Sequence, residues 1–289
     1  MPELPEVETV RRGLHRLIIG KRVLTVSFDT ARSFPNSKID VDSFLVDSVI
    51  TDVRRRAKVL MIDLSTSYTL VIHLKMTGQL VFIDSSSRFG AGHPSDSLIG
   101  SLPDKSTRVD IEFTDESHLY FNDQRKFGWV RLMPIAEVPN IDFMKKVGPE
   151  PLEEDFTSNN FLDRFNRRSR TTIKAALLDQ TVIAGVGNIY ADESLWGAKI
   201  HPSRLVSSIT DAEFKKLYTE VRLVMNLSID KGGSTNRNYV NAEGKKGSYM
   251  DFARVFRREG LACQRCGTEI IKIRVAGRGT HVCPKCQKI

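Results

Sequence analysis

The residues of this chain whose types and spacing can do chemistry lie at its two ends: Pro2, Glu3 and Glu6 in MPELPEVET, and four cysteines within the last 27 residues. Removal of Met1, which the small Pro2 permits, leaves a secondary amine flanked by two carboxyl groups. A free α-amino group titrates near ~8, so a usable fraction is unprotonated at neutral pH. Attack of such an amine on an aldehyde-like carbon gives a charged iminium directly, which makes the terminus a candidate nucleophile. The same residues also read as a helix entry, with Pro5 in the first turn and carboxylates favoured there by the macrodipole.

The cysteines form two Cys-x-x-Cys pairs, Cys263 with Cys266 and Cys283 with Cys286, separated by 16 residues. Each pair offers two ligands to one tetrahedral ion from a turn, and the spacer has room for a hairpin. Four thiolates close the coordination shell and leave no place for an activated water. One structural Zn²⁺ is therefore expected, with an iron–sulfur cluster or a redox dithiol as alternatives, and clustered thiols of this kind fit a reducing compartment. Lys272, Arg274 and Arg278 fall on the proposed hairpin, where Arg278 can face a phosphate or serve as a solubilising charge. Upstream, GVGNIYADESLW places Gly185 and Gly187 before a run starting near Asn188, and free amides at a helix N-terminus bind phosphate. A Rossmann reading fails because IKAALLDQTVIA before these glycines reads as helix and no GxGxxG follows a strand.

The elements that must hold these groups follow from periodicity. Val7, Val10, Leu14 and Leu17 share one face of a terminal helix, with Glu8, Arg12 and Arg16 on the other side. From Lys21 to Pro134 the pattern turns to short strands: Arg22–Phe28, Ser48–Val53, Val59–Leu64, Tyr68–Leu74, Gln79–Ile83, Arg108–Phe113, His118–Phe121 and Trp129–Met133. Closely spaced strands predict an antiparallel sandwich or barrel. Ser85–Ser106, with its Ser, Gly and Pro, reads as a long surface loop. Residues 135–156 read as a linker, and helical patterning follows from Ser158 to Lys231, with Thr210 and Glu213 as a capping box. Gly232–Gly260 is polar and reads as a flexible loop before the cysteine module.

Lysine and arginine outnumber aspartate and glutamate by 43 to 35, a net charge of +8, with clusters at Arg54-Arg55-Arg56, Arg167-Arg168 and Lys245-Lys246. A polyanionic partner is implied, and nucleic acid fits it. No apolar run is long enough to span a membrane, and the first residues are acidic where a signal peptide needs a basic region. The expected protein is soluble and cytoplasmic, without a membrane role.

Taken together, PELPEVETVRRGL, HLKMTGQL, NDQRKFG, GPEPL, LLDQTVIAGVGNIYADESLW, GGST and CQRCGTEIIKIRVAGRGTHVCPKC resemble the bacterial formamidopyrimidine-DNA glycosylases, in order and over nearly the whole chain. The resemblance implies an α+β protein: an N-terminal antiparallel β-sandwich with a flanking N-terminal helix (1–134), a linker (135–156), a helix-two-turn-helix domain (157–260) with a lesion-covering loop near 232–254, and a four-cysteine zinc finger (261–289). It implies a monomeric, nucleoid-associated enzyme that binds double-stranded DNA, excises 8-oxoguanine and formamidopyrimidines, and then cleaves the abasic site by β,δ-elimination.

An enzyme acting on a stacked base must extrude it and fill the hole left behind. By family position the filling residues are Met76, Arg125 and Phe127: an adaptable thioether, a cation for the orphaned base and an aromatic ring. The resemblance makes Pro2 the nucleophile at C1′, Glu3 the proton donor to the sugar ring oxygen, Glu6 its support, Lys58 a second general acid, and Arg278 the residue of the final elimination. It assigns phosphate contacts to Asn188, Lys174, Arg168 and Arg170. The chain departs from the family at Ser106, where a histidine is frequent, and Arg108 is the expected substitute. Backbone amides of Thr235 and Tyr239 are expected to read the lesion, and His73 to pack at a strand end. Two rival readings stand beside this one: the sister endonuclease VIII family, which favours oxidised pyrimidines, and a non-catalytic zinc-bearing DNA-binding protein.

Overall fold

The computed structural model describes residues 1–93, 95–234 and 249–289, so Thr235 and Tyr239 lie outside the described residues. The chain divides into two compact units, one built on Met1–Lys145 with the segment that begins at Lys231, the other on Lys146–Asp230 with Tyr249–Ile289.

In the first unit, helix α1 (Leu4–Ile18) precedes strand β1 (Val23–Phe28), the short helix α2 (Lys38–Phe44), and strands β2 (Ile50–Arg56), β3 (Val59–Leu64), β4 (Tyr68–His73), β5 (Gly78–Ile83), β6 (Arg88–Gly92), β7 (Thr107–Phe113), β8 (His118–Asp123) and β9 (Trp129–Pro134). Helix α3 (Asp142–Lys146) follows a short 3-10 turn. The strands form two sheets, ordered β1-β7-β8-β5-β6 and β2-β3-β4-β9, and every pairing in them is antiparallel. One core is shared by Val7, Val10 and Leu14 of α1, Leu60 and Ile62 of β3, and Leu80, Phe82, Val109, Ile111 and Phe121 of the five-stranded sheet. This is the expected sandwich with its terminal helix.

Strand β3 is buried at every position, which explains its apolar run from Val59 to Ile62, and Asp63, which ends that run, pairs with Arg54. Leu60, Ile62 and Leu64 face the main core, while Val59 and Met61 join a second cluster with Val71 and Val138. Both faces of β3 are therefore covered, so it carries no alternation of apolar and polar residues.

The expected loop from Ser85 to Ser106 is corrected: it contains β6, which pairs with β5 over Gln79↔Gly92 to Ile83↔Arg88. The sequence RFGAG hides this strand because its glycines carry no alternation. One reason for a small residue elsewhere is visible in α1, where a Cβ on Gly13 would stand 2.0 Å from the Phe89 ring. Gly13 lets β6 lie against the helix.

The second unit contains α4 (Ser158–Asn166), α5 (Ile173–Leu178), α6 (Asn188–Ala198), α7 (Asp211–Asp230) and the hairpin β10 (Ile271–Val275) with β11 (Arg278–Val282). The capping box before α7 is formed: Thr210 N–H donates to Glu213 Oε2 at 2.9 Å, and Glu213 N–H to Thr210 Oγ1 at 3.3 Å. Phe161 and Phe165 of α4 stack in edge and tilted geometry on Phe214 of α7. Helix α6 is buried from Tyr190 to Ala198, so it is the axis of this unit.

Candidate functional site

Pro2 is buried, and Glu3 and Glu6 are each 3% exposed, so two carboxyl groups stand shielded beside the terminus. Glu3 caps α1: its backbone N–H donates to Glu6 Oε2 at 2.7 Å, and a proline occupies the first helical turn. The helix-entry reading of this motif is therefore met by the geometry. The cap fixes Glu6 one turn from Pro2, and the apolar stripe of α1 locks that turn onto the core.

A chain of polar contacts runs from α1 to Ala57, the residue before Lys58. Glu8, 8% exposed, accepts from Arg11 and Arg12 on its own helix and from Arg55 Nε at 3.0 Å. Arg55 Nη1 in turn donates to Ala57 O at 3.1 Å. Ala57 and Lys58 form the two-residue turn between β2 and β3, with Ala57 at φ +53°. Lys58 itself is 5% exposed. Burial works to raise the Glu8 pKa, but hydrogen bonds from Arg11 and Arg12 and the charge of Arg55 outweigh it and hold the carboxylate down to about 2. The sequence placed Glu8 on the face opposite the core; it is instead buried under three guanidinium groups. The i+3 and i+4 arginines were readable, whereas Arg55 is 47 positions away.

His73 ends β4 opposite Val59, directly after Lys58. Its Nδ1 accepts from Lys75 N–H at 3.0 Å, which places the ring proton on Nε2. Burial first, then the charges of Lys75 and Lys58, push its pKa down to about 3. The His73 imidazole is therefore neutral at physiological pH.

Met76 and Phe127 are 36% and 44% exposed. Arg125 is exposed with its guanidinium 4.8 Å from the Phe127 ring centroid, and Arg32 approaches the same ring at 5.7 Å. Large apolar side chains on exposed turns are the arrangement a stacking or wedge surface needs.

In the second unit, Asn188 opens α6 after Gly187, and its Nδ2 donates to Gly279 O at 3.0 Å. That bond brings the helix N-terminus against the tip of the hairpin, where Arg278 is exposed. Arg170 is exposed, and Arg168 pairs with Asp179 at 3.0 Å while still exposed.

Two expected phosphate contacts are corrected by burial. Lys174 is 0% exposed; its Nζ is held by Asp192 Oδ1 at 2.6 Å and Thr280 Oγ1 at 2.7 Å. Asp192 also accepts from His281 N–H at 2.9 Å, so Lys174 anchors the hairpin rather than a phosphate. Arg108 is 7% exposed, with its guanidinium committed to Asp29 Oδ2 at 2.6 Å, Asp123 O at 2.9 Å and Lys105 O at 2.8 Å. Ser106, at the position of the frequent family histidine, is 3% exposed and bonded to Asp104 and Ser97.

The four cysteines come together. Their sulfurs lie within 4.8 Å of one another, with 4.0 Å between Cys263 and Cys286 and 3.5 Å between Cys266 and Cys283. A tetrahedral zinc with Zn–S bonds of ~2.3 Å needs sulfurs about 3.8 Å apart, and this set meets that requirement. Both Cys-x-x-Cys turns close on the first cysteine's carbonyl, from Gly267 N–H at 2.9 Å and Gln287 N–H at 3.0 Å.

Family models match three segments of the chain. The model of the formamidopyrimidine-DNA glycosylase N-terminal domain matches residues 1–130, that of the same family's H2TH domain matches 147–239, and that of the zinc finger found in FPG and IleRS matches 260–289. The formamidopyrimidine-DNA glycosylase of Streptococcus pyogenes serotype M6 is 42% identical over 293 residues, covering 100% of this chain and 99% of that protein. Among solved structures, wild-type Lactococcus lactis Fpg (MutM) with a DNA containing N7-benzyl-Fapy-dG superposes with a TM-score of 0.86 at 35% identity, covering 100% of both chains. MutM with a DNA containing carbocyclic 8-oxo-G superposes with a TM-score of 0.85 at 35% identity, again over 100% of both.

Proposed function

The chain belongs to the formamidopyrimidine-DNA glycosylase family, and on that premise we propose how its own residues act on DNA. It is a repair glycosylase that excises oxidised purines from double-stranded DNA. After loss of Met1, the Pro2 nitrogen attacks C1′ of the everted nucleotide, the bond from C1′ to the base breaks, and the base leaves with a proton. Glu3 protonates the sugar ring oxygen, which opens the ring and leaves C1′ as an iminium on Pro2. Glu6 supports that transfer, and Lys58 is the second acid beside the sugar and its phosphate.

The iminium then makes the chain an abasic-site lyase. It acidifies the 2′ carbon, whose proton is lost as the 3′ phosphate departs; a second elimination releases the 5′ phosphate, with Arg278 as its residue. The electron sink is the iminium itself, so this sequence needs no external cofactor. Met76, Arg125 and Phe127 fill the void left by the base, and Arg168, Arg170 and Asn188 contact phosphate. We assign residues 1–134 to catalysis, 135–156 to the linker, 157–260 to the helix-two-turn-helix domain, and 261–289 to the finger. Zinc, held by Cys263, Cys266, Cys283 and Cys286, supplies only the folding energy of that finger.

The observation that carries this reading is the pair of buried carboxyl groups, Glu3 and Glu6, at a proline terminus. Borohydride trapping tests it: processed protein forms a covalent adduct with DNA containing 8-oxoguanine or an abasic site, and Pro2→Gly or retained Met1 loses it. An adduct that survives either change overturns the assignment of Pro2, and absence of any adduct leaves only a binding protein. Faster processing of thymine glycol than of 8-oxoguanine would favour the pyrimidine-specific sister family.

A further inference from the structure

We infer that Asp123 is a positioning residue that joins the two wedge-bearing turns into one rigid piece, an inference that rests on the wedge role proposed for Met76, Arg125 and Phe127. These residues come from chain segments about 50 positions apart. Met76 sits in the turn closed by Gly78 N–H to Leu74 O at 2.8 Å, with Lys75 at φ +49°. Arg125 and Phe127 flank Lys126, at φ +56°, in the turn after β8.

Asp123, the last residue of β8, is 0% exposed and touches both turns. Its Oδ1 accepts from the Thr77 hydroxyl and from Arg125 N–H at 3.2 Å, and its Oδ2 accepts from Gly128 N–H at 2.6 Å. Arg125 N–H is shared with Thr77 Oγ1 at 3.1 Å. The backbone of Asp123 is fixed as well, by Ser106 O at 2.8 Å and by Arg108 Nε at 2.9 Å. Gly128 completes the junction, since a Cβ there would lie 3.0 Å from Asp123 Oδ2 and 2.8 Å from the Phe121 ring. Arg108, withdrawn from solvent, is thus a brace for the backbone of Asp123.

A wedge that holds a base step open works against stacking worth a few kcal/mol. Two independently mobile turns would lose further free energy on being ordered together. A buried carboxylate with three donors from the two turns removes that cost before DNA arrives.

The test uses full-length processed protein and two substrates. Excision of 8-oxoguanine from duplex DNA requires eversion and void filling; borohydride trapping on single-stranded abasic DNA requires neither. Asp123→Asn turns one acceptor into a donor facing a donor, and Thr77→Val removes the link between the turns. Both variants are expected to slow single-turnover excision about 10- to 100-fold while leaving the trapping rate unchanged. Thr77→Ser is expected to restore excision. A 2-aminopurine placed beside the lesion should lose its fast fluorescence rise in the two defective variants. Equal loss on both substrates, or no loss on either, overturns the inference. Wild-type protein that fails to trap would instead overturn the catalytic reading, and the two failures are distinguishable.

Discussion

The Glu6 carboxylate holds Ser234: its Oε1 accepts from Ser234 N–H at 2.7 Å, while its Oε2 accepts from Glu3 N–H at the same distance. One side chain therefore joins the entry of α1 to the segment that follows α7, and Gly233 packs on it with a Cβ position 3.2 Å from Glu6 Cγ. Glu6→Ala removes both acceptors. Each hydrogen bond to a charged group contributes about 1.5–3 kcal/mol, so urea unfolding should show a loss of that order. Excision should fall with it, and Glu6→Gln, which keeps one acceptor, should lie between the two.

Acid stability should fall in two windows. His73 has a pKa of about 3 against its ordinary 6.5. A depressed folded-state value means that its contribution is complete above pH 6.5 and is lost as pH falls toward 3. Glu8, at about 2 against 4.5, contributes fully above pH 4.5 and loses that contribution toward pH 2. The Glu8 contribution is on the order of 3 kcal/mol. Urea midpoints measured from pH 7 downward should decline in both windows, with His73→Gln flattening the upper and Glu8→Gln the lower.

Metal removal should unfold the finger and nothing else at first. Structural zinc contributes on the order of 10 kcal/mol to such modules, and the hairpin that presents Arg278 hangs on the two cysteine turns. One zinc per chain is expected by mass spectrometry of the native protein. Cys283→Ser or chelation should abolish it, weaken DNA binding measured by anisotropy, and leave the β-rich circular dichroism of the sandwich in place.

Lys174 and Arg278 should separate structure from phosphate contact. Breaking a buried ion pair costs about 3–5 kcal/mol, so Lys174→Ala should destabilise the protein by that amount. Its DNA affinity should keep the wild-type dependence on salt. Arg278→Ala should leave stability unchanged and reduce the salt slope by about one. A lowered slope for Lys174→Ala would return it to the phosphate contacts.

Local pattern carried a great deal. The stripe of α1, eight of the nine sandwich strands, the capping box at Thr210 and Glu213, the two cysteine pairs and the terminal proline with its carboxyl groups were all legible, because each depends on neighbours within a few positions. The exposed turns of Met76, Arg125 and Phe127 were legible through family likeness and their polar settings.

The sequence by itself determined which groups this protein has for chemistry and the elements that carry them. Tertiary structure alone decided which charges reach solvent. Lys174 and Arg108 look like any other cations in the chain until Asp192 and Asp29, 18 and 79 positions away, draw them inside. Strand β6 needed β5 and the gap at Gly13 to become a strand, and Asp123 became a junction only when two distant turns met it. Burying a charge requires a partner, and partners are chosen by the fold across distances that no local periodicity records.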